Sequence, residues 1–271
     1  MKKVLVITYY WPPSGGAGVQ RWLKFTKYLR QYGWEPIIYT PENPEAPAID
    51  HSLEKDVPEG IQVIKTKIWE PYAAYKRFVG RKKEDSIKGG FLSENKRPSI
   101  TEKISVWIRG NFFIPDARKF WIKPSVRFLV DYLKKNPVDA MVSTVPPHSM
   151  HMIALGIKKK LNIPWLADFR DPWTNIDFYD DLMLTKFAHQ KHIRLEREVL
   201  NTADKVVTVS WNWAKDFEKL CNRMIEVVTN GYDPEDFRNF PENLNSEKFV
   251  LCHIGSLNKD RNPGFLWKCL A

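Results

Sequence analysis

The chain has 271 residues, a formal net charge of +10, and a composition that is 43% hydrophobic and 13% aromatic. So much apolar material can bury a sizeable core, which excludes a disordered chain, and no apolar run approaches the ~20 residues of a membrane-spanning helix. Three scattered cysteines, Cys221, Cys252 and Cys269, fit neither a zinc site nor a disulfide framework, and Lys2-Lys3 lead straight into a strand without a signal sequence; the expectation is a soluble cytosolic protein.

Val4-Leu5-Val6-Ile7 is too continuously apolar for a strand with one wet face and reads as the buried first strand of a parallel sheet. The turn Tyr9-Tyr10-Trp11-Pro12-Pro13-Ser14-Gly15-Gly16-Ala17-Gly18 follows, then an amphipathic helix carrying Val19, Leu23 and Leu29. Backbone N–H groups of Gly15 and Gly16 at a helix N-terminus suit a phosphate, with Arg21 as a supporting cation. Two other readings stand beside that one: glycines kept for packing, or a dinucleotide turn. The dinucleotide reading is opposed by the glycine spacing and by a second strand, Glu35 to Thr40, that ends in Pro41 rather than an acid.

Gly60 to Thr66 reads as strand three, Trp69 to Arg81 as a short helix, and Lys82 to Pro98 as a mobile polar stretch. Between Lys76 and Arg127 there are 14 Lys and Arg against five Asp and Glu, so +9 of the net +10 lies there. Within it, residues 100–123 interleave Ile100, Ile104, Trp107, Ile108, Phe112, Phe113, Phe120 and Trp121 with Arg109, Arg118, Lys119 and Lys123. Such a stretch meets an anionic membrane surface or packs its apolar face on the protein's own core. It resembles no nucleic-acid module, and no nucleic-acid partner is expected.

The second half alternates helix Val126–Lys135, strand Asp139–Thr144, helix Ser149–Leu161, strand Pro164–Phe169, helix Leu184–Asn201, strand Lys205–Ser210, helix Asn212–Leu220 and strand Ile225–Thr229. This predicts an α/β fold with a doubly wound, mostly parallel sheet of Rossmann-like topology, whose ligands lie off the carboxyl ends of the strands. After a polar linker, Lys248–Ile254 reads as a further strand and Pro263 as the start of a helix. Residues 1–240 are therefore taken as one domain, and 241–271 as a linker with the opening of a second, truncated one. His148 with His151, and His189 with His192, are spaced i, i+3 without further ligands, so no metal is expected.

Several stretches together resemble the family 4 glycosyltransferases, retaining enzymes of GT-B fold. They are Tyr10-Trp11-Pro12-Pro13 with Gly15-Gly16, Asp168-Phe169-Arg170-Asp171-Pro172-Trp173, Ala203-Asp204 before Val206–Ser210, and Asn230-Gly231-Tyr232-Asp233 with Phe237. The Asp168–Trp173 segment is similar to one in members that build bacterial surface polysaccharides. The resemblance implies sugar transfer from a nucleotide-activated donor to a glycan acceptor, with no further cofactor, and residues 100–123 add the expectation of a lipid-linked acceptor at the inner face of the membrane. It also implies that Gly255-Ser256 and Lys259 or Arg261 contact the donor diphosphate. The family's paired-glutamate motif is absent, so the piece by itself is expected to be inactive. The histidine that many members place after the strand matching Pro164–Phe169 is missing as well. Asp168 and Asp171 are then the candidate catalytic carboxylates, with Arg170 pairing one of them, or else an Asp-Arg-Asp salt-bridged loop. His148, after Pro146-Pro147, is either a cleft residue or simply the start of a helix. The competing classes are a nicotinamide-dependent oxidoreductase and a non-enzymatic basic docking module.

Overall fold

The computed structural model describes residues 1–71, 100–237, 249–254 and 262–270. It places seven strands in one parallel sheet of order β3-β2-β1-β4-β5-β6-β7. The strands are β1 (Lys2–Ile7), β2 (Trp34–Pro41), β3 (Gln62–Thr66), β4 (Ala140–Val145), β5 (Trp165–Phe169), β6 (Lys205–Thr208) and β7 (Glu226–Val227). β1 is central and pairs on both sides, Val4 opposite Pro36 and Ala140, Ile7 opposite Tyr39 and Ser143. Its unbroken apolar run follows from that position, since both faces and both edges are covered.

The described helices are α1 (Ala17–Leu29), α2 (Ile100–Phe112), α3 (Lys119–Lys135), α4 (Ser149–Leu161), α5 (Lys186–Thr202), α6 (Trp211–Leu220) and α7 (Gly264–Leu270). Alternate residues of β1 feed two cores. Leu5 and Ile7 join Met141, Leu129, Ile153, Leu200 and Phe217 beneath α3 to α6. Val4 and Val6 join Val19, Trp22 and Leu23 of α1 on the opposite face. The chain winds outward from β1 to β3, then returns to β4 and winds the other way. The two crossovers diverge at the carboxyl ends of β1 and β4, the topological switch point at which such sheets ordinarily bind their ligands.

Several expectations are corrected. α3 begins at Lys119, seven residues before the expected Val126, because Pro124 sits inside the helix; only the Phe120 carbonyl loses its N–H partner there. Residues 249–254 form no strand, and Phe249 and Ile254 are 91% and 94% exposed: a lone extended segment has no partner to hydrogen-bond. The 100–123 stretch divides between core and surface. Trp121 is buried and stacks on Tyr39 at 5.0 Å, whereas Ile100, Ile104, Trp107, Phe112 and Phe120 face solvent. The helix expected at Trp69–Arg81 and the stretch Lys82–Pro98 lie almost wholly outside the described residues.

The chain divides into two compact units. The first, described at 1–71 and 100–231, contains the whole sheet. In the second, described at 232–237, 249–254 and 262–270, the Asp233 carboxylate accepts the Glu235 amide at 3.1 Å beside a one-turn helix at Pro234–Phe237, and α7 follows later.

Candidate functional site

Three turns meet at the carboxyl edge of the sheet: the glycine turn after β1, Val145–His148 after β4, and Phe169–Thr174 after β5. Their geometry is fixed by buried polar contacts, because every turn at a sheet edge must satisfy its own backbone groups.

The first part of the glycine turn is covered by protein, whereas Gly16 and Ala17 are exposed. The Gly15 amide donates to the Ala48 carbonyl at 2.8 Å, and the Asp50 amide donates to the Pro13 carbonyl at 2.8 Å. A Cβ on Gly15 would lie 2.9 Å from the Asp50 Cβ. Gly16 has φ +97°, a conformation side chains resist, and Gly18 lets Tyr10 and the Arg170 guanidinium approach to 3.1 and 3.4 Å of where a Cβ would stand. The phosphate reading of Gly15 is thereby corrected: its N–H already has an acceptor, and packing against Ala48 and Asp50 accounts for that glycine.

Arg21 and Asp168 form a buried hub. The guanidinium Nε and Nη2 donate to the Asp168 carboxylate at 3.3 and 3.2 Å, and Nη1 donates to the Thr229 carbonyl at 3.1 Å and Asn230 Oδ1 at 3.0 Å. Trp22 Nε1 at 2.6 Å and Thr144 Oγ1 at 2.8 Å also donate to Asp168, whose side chain has no exposed surface. A carboxylate with four donors and no solvent contact holds α1, β4, β5 and the loop after β7 together; it does not face a ligand. Arg21 is likewise turned inward and is no free cation for a phosphate.

Arg170 does not pair with either aspartate in the way expected. Its Nε donates to the Val145 carbonyl at 2.9 Å, Nη1 to Gly18 at 2.7 Å and Nη2 to Pro146 at 2.9 Å. Lying just past the end of β5, it straps the β4 turn to the first turn of α1, while the Arg21 fork takes the Asp168 carboxylate from the side. Burial lowers the Arg170 pKa, with Asp168 and Asp171 pulling it back up. Asp171 is half-buried beside it.

His148 is half-buried after the Pro146-Pro147 turn and stacks on Trp173 at 4.4 Å with only 7° between the planes. Trp173 is itself anchored: its indole N–H donates to His192 Nδ1 at 2.9 Å and its amide to Glu196 Oε1 at 3.2 Å, and Thr174 Oγ1 donates to Glu196 Oε2. Burial pushes the His148 pKa down to about 3 and the His192 pKa to about 4, and raises Glu196. The sequence reading missed this network. Its signal was present, however: His192, Glu196, Val199 and Leu200 share one face of α5, so two polar residues occupy an apolar stripe.

A second missed cluster ties the loops after β1, β2 and β3. Tyr9 donates to Glu70 Oε2 at 2.7 Å, the Glu45 amide donates to the Tyr9 hydroxyl at 2.8 Å, and Arg118 lies 2.9 Å from Glu70 and 4.5 Å over the Tyr9 ring. Burial raises both Tyr9 and Glu70, with Arg118 opposing. Gly255, Lys259 and Arg261 lie outside the described residues. Among the described residues, no group of His, Cys, Asp and Glu has the arrangement of a metal site, and no helix is long and apolar enough to cross a membrane.

No curated protein matches the sequence. Among solved structures, MurG of Acinetobacter baumannii is 16% identical, with a TM-score of 0.42 and coverage of 90% of this chain and 50% of that one. Sucrose-phosphate synthase of Thermosynechococcus elongatus is 12% identical, with a TM-score of 0.47 and coverage of 87% and 49%. Phytolacca americana UGT2 is 9% identical, with a TM-score of 0.46 and coverage of 86% and 52%. The chain thus spans about half the length of each. The family model described as Glycosyltransferase Family 4 matches residues 91–236, more than half of the sequence, and the chain belongs to that family.

Proposed function

We propose that the chain is the acceptor-side half of a glycosyltransferase that moves a sugar from a nucleotide-activated donor to a lipid-linked glycan acceptor in bacterial surface-polysaccharide synthesis. The observation that carries this reading is the topological switch point at the carboxyl ends of β1 and β4, flanked by the loops that carry His148, Arg170 and Asp171, in a chain of family 4. A rigid edge of this kind positions an acceptor hydroxyl, which is a large part of what transfer to a fixed donor requires. Asp171 faces the sugar or acceptor, and its carboxylate supports charge developing in the transition state. The donor is held mainly by a second domain, whose opening residues include Gly255, Lys259 and Arg261.

The lipid-linked acceptor is supported by the outer face of α2 and α3. Ile100, Ile104 and Trp107 follow one side of α2, and the Phe112 and Trp107 rings meet at 5.7 Å. Lys119 lies 5.2 and 5.0 Å over the Phe113 and Phe120 rings, and Phe120 meets Trp69 at 4.9 Å. Exposed aromatics interleaved with cations suit an anionic bilayer surface.

The test joins this chain to its donor-side domain and screens sugar nucleotides against polyprenyl diphosphate-linked glycans, reading products by mass spectrometry. Turnover with one donor is expected, and none with residues 1–271 by themselves. Failure with every donor would overturn the transferase reading. Sedimentation with anionic vesicles should fall as salt rises and should weaken in Trp107→Ala and Lys123→Glu; equal absence of binding to anionic and neutral vesicles at low salt would remove the membrane.

A further inference from the structure

The His148 ring is held by an arrangement that leaves one nitrogen open. Its Nδ1 is sealed from water and has no hydrogen-bond partner, whereas Nε2 is not sealed and makes no hydrogen bond within the protein. A buried N–H without an acceptor costs more than a buried lone pair, so the proton belongs on Nε2 and the lone pair on Nδ1. Burial, with His192 adding to it, keeps the ring neutral at physiological pH. The imidazole, in the turn after β4, therefore offers solvent a single uncharged donor.

The ring plane is fixed from behind. Trp173 is 2% exposed and stacks flat against it, and Trp173 is in turn held through its indole by His192 and through its amide by Glu196, both on α5. Three residues from two elements orient one imidazole. The cations nearby are turned away: Arg21 is engaged by Asp168, Thr229 and Asn230, and Arg170 by three carbonyls. An edge that offers a neutral donor, with its two guanidiniums committed to protein, favours an uncharged oxygen over a phosphate.

We propose that His148 is a specificity-determining contact of the acceptor site: its Nε2–H donates to a hydroxyl oxygen of an uncharged sugar, and Trp173, His192 and Glu196 are its positioning residues. This rests on the transferase reading above and names the ligand chemistry of one contact in it. Loss of a single donor of this kind weakens binding about tenfold.

The experiment has two arms. In residues 1–271, long-range nitrogen–proton correlation should show the His148 proton on Nε2 with no titration between pH 8 and 5. Methyl glycosides of glucose, galactose, mannose, rhamnose and N-acetylglucosamine are then titrated against inorganic phosphate. At least one glycoside should move the His148 signals and phosphate should not. A proton on Nδ1, a midpoint above pH 6, a response to phosphate alone, or no response to any probe would overturn the proposal. In the extended enzyme, His148→Gln, whose amide nitrogen reaches the Nε2 position, should keep the acceptor KM within about threefold, and His148→Ala should raise it about tenfold with kcat less affected. His148→Ala matching wild type, or His148→Gln as poor as His148→Ala at unchanged Tm, would also overturn it. A wild-type enzyme inactive with every donor would instead defeat the transferase reading, and the first arm would still decide the tautomer and the ligand chemistry.

Discussion

Asp168→Ala should be the most damaging single substitution at this edge, through stability and not through chemistry. The side chain is wholly buried and accepts from the Arg21 guanidinium, Trp22 and Thr144. Removing it strands a buried guanidinium, a change that costs about 3–5 kcal/mol where measured. Two neutral donors also lose their acceptor, at roughly 1–3 kcal/mol each before relaxation. These terms overlap, so a total of about 4–7 kcal/mol is expected, a large share of the roughly 5–15 kcal/mol that holds a domain together. Asp168→Asn keeps the volume and one acceptor oxygen and should cost about half as much. Urea unfolding at neutral pH, with slope and midpoint both fitted, reads these differences. The double variant Arg21→Met with Asp168→Leu removes both charges and should be more stable than Asp168→Ala alone. If Asp168→Ala unfolds within about 1 kcal/mol of the parent, or the double variant is the worse of the two, Asp168 is not the hub of this frame.

Gly16→Val should lower stability by about 1–2 kcal/mol because φ +97° suits glycine, and a variant with unchanged urea midpoint would contradict the backbone geometry. Asp171→Asn in the extended enzyme should lower kcat at least tenfold with little change in KM or Tm; a loss explained wholly by unfolding would leave Asp171 a structural residue. Stability should fall as pH drops from 6.5 toward 4. The unfolded chain protonates its histidines there, while burial holds His148 down near 3 and His192 near 4, so the folded state declines protons the unfolded state accepts. His192 contributes roughly 3 kcal/mol to that loss at 1.36 kcal/mol per pH unit, and the raised Glu196, which favours protonation in the fold, offsets part of it. Urea midpoints across this range should slope less in His192→Gln; identical slopes would rule out His192 as a source.

The strands were legible because their neighbours impose a pattern on each of them. β1, β4 and β5 are covered on both faces, and buried residues run along them without alternation, mostly apolar, with Ser143, Thr144 and Asp168 the polar exceptions. Helix α4 runs over the expected Ser149–Leu161, with Asn162 in the left-handed region closing it. Less legible were the elements whose outcome depends on distant partners. The pairing of Arg21 with Asp168 spans 147 positions, and no local pattern announces that Arg21, rather than the adjacent Arg170, will reach the carboxylate. Gly15 misled for a related reason: residues 48–50 fold back over Pro13 to Gly15, and composition does not say which surface a loop will cover.

The same Arg21 contacts govern the order in which the domain can be completed. Arg21 leaves the ribosome 208 residues ahead of Thr229, the carbonyl that its Nη1 finally meets. At 5–20 residues per second that is a wait of about 10–40 s. Over that interval β1 can already pair with β2, yet its other edge stays open until β4 arrives, and the guanidinium and the Trp22 indole remain in water. A nascent chain of this kind exposes one edge of β1 until residues 140–145 emerge, and contacts with such large sequence separation form slowly. Its yield in the cell should therefore depend on co-translational chaperones more than the stability of the finished domain would indicate.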